Sequence, residues 1–92
     1  MNPSLSMADI SEIARLTVEK RDKMQQAREH METLNGLRVI RHTYFSQNQN
    51  ALFDNIKRAE SLRITEAARL EHEANAIEET IRKIHQRAQE RI

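Results

Sequence analysis

Four histidines, His30, His42, His72 and His85, are the residues of this chain best suited to ligate a metal or move a proton. A helical zinc site needs two histidines four apart, as in H-E-x-x-H, and a carboxylate-bridged di-iron bundle needs E-x-x-H pairs. Neither spacing occurs. His72 stands between Glu71 and Glu73, but adjacent helical positions point about 100° apart and do not converge on one ion. No metal and no cofactor are therefore expected.

Covalent or acid–base catalysis would need a nucleophile and a base that converge in a pocket. Fourteen carboxylates and the scattered serines and threonines show no such constellation, and a single glycine leaves no Gly-rich loop to cradle phosphate. With no cysteine there is no disulfide framework, thiolate nucleophile or thiolate-bound zinc. The chain reads as a non-enzyme without a small-molecule substrate.

One polar cluster points to binding. Arg38, Arg41 and His42 fall at i, i+3 and i+4 on one helical face, and a bend after residue 45 would bring Lys57 and Arg58 opposite them. Such a patch could meet phosphates, with Tyr44 stacking on a base. Against it stand 15 basic and 14 acidic residues, balanced in both halves of the chain, and the lack of a long basic stripe. A small nucleic-acid-associated regulator is thus the second reading. The same mixture of signs argues against a helix lying on a membrane surface.

The elements that carry these residues follow from composition. Glycine and proline occur once each, at Gly36 and Pro3, while Glu, Arg, Lys, Ala, Gln, Leu and Ile dominate, which is the make-up of long helices. Ser6 with Asp9, or Asp9 with Glu12, offers a capping box, so a helix should begin between residues 6 and 10. Ile10, Ile13, Thr17, Lys20, Met24, Ala27, Met31 and Leu34 then alternate in steps of three and four, a seam weakened at Thr17 and Lys20. Asn35-Gly36 costs a helix roughly 1.5 kcal/mol relative to alanine, enough for a kink and not necessarily an end. A break there, giving three helices, stays open.

The uncharged run 46–50, SQNQN, competes with helical backbone through its side chains and reads as the loop. Beyond it Ala67, Leu70, Ala74, Ile77, Ile81, Ile84 and Ala88 step by three and four without error, the most specific pattern in the chain. Extended backward, that pattern meets Arg63 and Glu60, so a change in packing is expected near residue 64. Glu78–Arg82, Glu79–Lys83, Glu19–Lys23 and Asp54–Arg58 are acid-before-base pairs at i, i+4 that support exposed helical faces.

The expected fold is therefore all-α: one domain over 1–92, with a flexible 1–6, a first arm at about 7–45, a loop at 46–50 and a second arm at about 51–91. The near-equal arms, each roughly 60 Å long, favour an antiparallel hairpin with coiled-coil-like packing. So small a core gains from association, and dimerisation into a four-helix bundle or docking on another helical protein is expected. The seam 67–88 would hold that assembly. Leu37, Ile40, Tyr44, Phe45, Leu52, Phe53 and Ile56 give the loop-proximal half more apolar surface than two helices need, a candidate tip for a partner.

The function these features imply is protein–protein interaction by helix packing, as an assembly subunit, adaptor, chaperone or inhibitor. No apolar run of roughly 18 residues and no basic leader followed by an apolar stretch is present, so a mature cytoplasmic protein is expected.

Overall fold

A computed structural model describes residues 5–45 and 50–90, with side chains over 5–43 and 51–90. It contains two long helices, α1 (Met7–Phe45) and α2 (Asn50–Glu90), packed along their length as a hairpin, with no strand among the described residues. The molecule measures 68 × 18 × 15 Å. Residues 1–4 of the expected flexible terminus and 46–49 of the expected loop lie outside the described residues, as do the side chains of Tyr44 and Phe45.

Ser6 starts α1. Its hydroxyl accepts from the Asp9 amide at 3.0 Å, and the Asp9 carboxylate accepts from the Ser6 amide at 3.2 Å, the reciprocal arrangement of a capping box. The first of the two possible boxes is thus the one formed. Asn35 and Gly36 sit inside α1, which runs through them as one helix. A Cβ added at Gly36 would meet nothing within 4 Å, so packing makes no demand for glycine there.

The inward face of α1 carries a different phase from the expected one. Buried and half-buried positions are Asp9, Ile13, Leu16, Lys20, Lys23, Ala27, His30, Leu34, Leu37 and Arg41, again in steps of three and four. Four of the expected residues belong to this seam, but Ile10, Thr17, Met24 and Met31 are exposed. The correction has a physical cause. Lys20, Lys23, His30 and Arg41 can turn inward because α2 supplies polar partners: Lys23 Nζ donates to Glu73 at 3.0 Å, Lys20 donates to Glu78, and Arg41 pairs with Glu60 at 2.9 Å.

On α2 the inward positions run Phe53, Ile56, Glu60, Arg63, Ala67, Leu70, Ala74, Ile77, Ile81, Ile84 and Ala88, one unbroken alternation. The expected change near residue 64 does not occur. Glu60 is only 7% exposed because Arg41 meets it, and Arg63 Nη1 lies 2.9 Å from His30 Nδ1 in the next polar layer. The largest fully buried side chains are Leu34, Leu70 and Ile84, while Leu16, Ile77 and Ile84 form a cluster on which Leu5, Ile13 and Ile81 pack. Ala67, Ala74 and Ala88 let the backbones approach but contribute little area, so the core is thin.

Cross-helix pairing also redistributes the surface charges. None of the four expected i, i+4 pairs forms among the described residues: Lys20 draws Glu78 and Lys23 draws Glu73 across the hairpin and Arg82 meets Glu79, while nothing in the structure explains why Asp54 and Arg58 do not pair.

Candidate interaction surface

The long seam of α2 is occupied by α1 of the same chain. Ala67, Leu70, Ala74, Ile77, Ile84 and Ala88 are buried and Ile81 is half-buried in the hairpin, so the surface left for other molecules lies elsewhere. Of the expected tip residues, Ile56 is buried, Leu37, Leu52 and Phe53 are half-buried, and Ile40 is exposed.

Large apolar side chains are exposed along the whole hairpin, Met7 at 76% and Val18 at 51% toward its open end among them. Val39, Ile40, Leu62 and Ile64 are all exposed, at 67%, 44%, 60% and 48%. They stand on different faces of the two helices and form a girdle around the loop-proximal half. The methionine and isoleucine line of α1, Ile10, Met24 and Met31, adds a narrower stripe along one flank. Val39, Leu62 and Ile64 belong to the surplus apolar residues of the loop-proximal half but lie outside the expected tip set.

The basic cluster is assembled in part. Arg38, Arg41 and His42 line an open cavity of about 340 Å³ with Phe53 as its apolar wall. The Arg41 guanidinium and the Lys57 ammonium lie 5.9 and 5.6 Å from the Phe53 ring centre, a distance at which the ring quadrupole attracts a cation. Arg41 is also held by Glu60 at 2.9 Å, which neutralises much of its field. Arg58, one residue beyond Lys57, lies about 100° further round α2 and is exposed.

Three acidic groups sense the cross-helix and intrahelical cations. The hydrogen bond from Lys23 holds the Glu73 carboxyl below its ordinary value of 4.5, that from Lys20 does so for Glu78, and that from Arg69 does so for Glu66. A carboxyl whose folded value is depressed stabilises the fold above its unfolded value, and that contribution disappears as pH falls through the folded value. Stability is therefore expected to be flat near neutrality and to fall below about pH 4.5. Thermal melts at pH 7 and pH 3 check this. Added salt should shrink the difference, because all three carboxylates are partly exposed and screened. A melt unchanged at pH 3 would show that these pairs contribute nothing.

No group of three His, Asp or Glu side chains able to hold a metal occurs among the described residues, and none of the described helices is long and apolar enough to cross a membrane. No family model matches the chain, no curated protein matches it, and no solved structure matches it.

Proposed function

We propose that this chain is a non-enzymatic protein–protein interaction module that acts by helix packing. The observation that carries the reading is the girdle of Val39, Ile40, Leu62 and Ile64, exposed on a molecule whose own inter-helix seam is already filled. These side chains stay open on a hairpin whose surface is otherwise mostly charged, and they offer apolar contacts to another protein. A coiled-coil-like hairpin offers stiff, straight helices for such a contact, in the role of an assembly subunit, adaptor, chaperone or inhibitor. Dimerisation into a four-helix bundle fits the same thin core, and a cytoplasmic setting is compatible with a chain that has no cysteine.

The test is capture from native extract with the wild-type chain and with Ile40→Asp/Leu62→Asp. Both positions are exposed, so the variant should keep its helical circular dichroism. The expected result is a protein retained by the wild type and lost with the variant. Identical sets of captured proteins, or none above background, would sink the reading.

A second reading, nucleic-acid association, rests on the cavity of Arg38, Arg41, His42 and Phe53. Because Glu60 engages Arg41 and Arg58 stands further round α2, Arg38, His42 and Lys57 are the groups left to meet phosphates. The net charge of +1 adds no long-range attraction, and the interaction reading has the better support.

A further inference from the structure

We infer that the flank of α1 carrying Met24 and Met31 is a self-docking surface. A second copy seats on it pointing the same way, so that α1 of each chain lies against α2 of the other. This deepens the interaction reading and rests on it, but assigns the second copy to a face separate from Ile40 and Leu62.

The geometry of the flank comes first. Met24 and Met31 are seven residues apart, hence nearly in line along the helix, and are 42% and 39% exposed. Two open cavities of about 290 and 330 Å³ adjoin along this edge of α1, sharing Met24 and Arg28. Glu71 of α2 lines the larger of the two. Ile64, one heptad before Glu71, presents its exposed side chain to the same flank. A groove so continuous, with apolar side chains on its floor, has the form into which another helix packs.

Area is the second argument. A compact monomer of this mass is expected to expose about 5,500 Å². The hairpin exposes 6834 Å², so about 1,300 Å² per chain is in excess. A stable interface covers about 800 Å² on each partner. Docking two flanks together stays within the surplus.

Charge then selects the occupant and its direction. Arg21 and Arg28 line the groove on α1 and Glu71 lines it on α2, with Glu78 one heptad further along the same face of α2. The Lys20–Glu78 and Lys23–Glu73 pairs fix these residues at the same height along the hairpin. No ion pair engages Arg21 or Glu71 among the described residues, and Arg28 reaches only Gln25. A two-fold axis parallel to the helices sets Arg28 beside Glu71 of the partner subunit and Arg21 beside the partner's Glu78. An axis across the helices would instead stack α1 on α1 and bring these arginines against their own copies, which costs free energy.

Sedimentation equilibrium should give twice the 10.8 kDa chain mass for the wild type and the single-chain mass for Met24→Glu/Met31→Glu. The variant should keep its helical circular dichroism, because both side chains are already exposed. Arg28→Glu should weaken the dimer by about tenfold, and adding Glu71→Arg should restore it. Spin labels on Ser11, at the open end of the hairpin, should lie within roughly 30 Å of each other when the copies run the same way. A monomeric wild type, a dimer indifferent to Met24 and Met31, failure of the charge swap, or labels near opposite ends of the molecule would each overturn the proposal. A monomer that still captures a protein through Ile40 leaves the interaction reading standing. A dimer whose Ile40→Asp/Leu62→Asp variant captures the same proteins removes the tip reading and keeps this one.

Discussion

Leu34→Ala is expected to destabilise the hairpin by about 3 kcal/mol and to lower its melting temperature by roughly 10 to 25 °C. Leu34 has no exposed surface, and among the described residues only Leu70 and Ile84 are comparably large and enclosed. Removing a buried leucine forfeits its transfer free energy and leaves a cavity that two stiff helices cannot easily close. A chain of this length is stabilised in total by only about 5 to 14 kcal/mol, so one such layer is a large part of it. Urea melts should show the same change in Leu70→Ala and Ile84→Ala. Val39→Ala, on the outer face, should stay within about 0.5 kcal/mol of the wild type. A loss below about 1 kcal/mol at Leu34 would mean that the helices do not pack through this seam.

The same contrast explains what could be read from the sequence. On α2 the residues from Ala67 to Ala88 are small or aliphatic at every inward position, so periodicity alone revealed the buried face. The two-helix architecture was also legible, since Gly36 and Pro3 are the only strong breakers and the uncharged run follows a long helical pattern. On α1 the pattern misled. Ile10, Met24 and Met31 share a flank and imitate one row of a seam, whereas the true row holds Leu16, Lys23, His30 and Leu37. Half of that row is polar.

Polar residues face inward there for a reason no local pattern contains. Lys23 turns in because Glu73 stands fifty residues further along the chain, and His30 because Arg63 does so thirty-three residues on. A hydrophobicity profile weighs each residue against water, while these weigh against a partner on the other helix. The interaction girdle was half legible for the same reason. Ile40 could be proposed from surplus apolar residues near the loop, but deciding that Ile56 is buried and Leu62 exposed required the true phase of α2.

Arg41→Met should cost roughly 2 to 4 kcal/mol, although it keeps most of the aliphatic stem and removes only the guanidinium. The Glu60 side chain is 9% exposed and takes two contacts from Arg41 Nε, at 3.1 and 2.9 Å. Without them a carboxylate stays in the seam with its desolvation unmatched. Loss of the cation near Phe53 adds about 0.5 kcal/mol. Arg41→Met combined with Glu60→Leu should return close to wild-type stability or exceed it, because an apolar layer needs no compensation. A double-mutant cycle in urea therefore has a large coupling free energy as its expected result. Additive losses, or a single-variant effect under about 0.5 kcal/mol, would show that water reaches Glu60 and that the pair is superficial. The pair also restricts register. Sliding the helices by one heptad would move Glu60 beside Leu34, a penalty that the alanine-rich seam of α2 does not impose by itself. The double variant should consequently be stable yet less singular in structure, with broadened amide resonances around residues 34 to 41 and 56 to 63. Sharp spectra there would assign the register to the aliphatic cluster of Leu16, Ile77 and Ile84 alone.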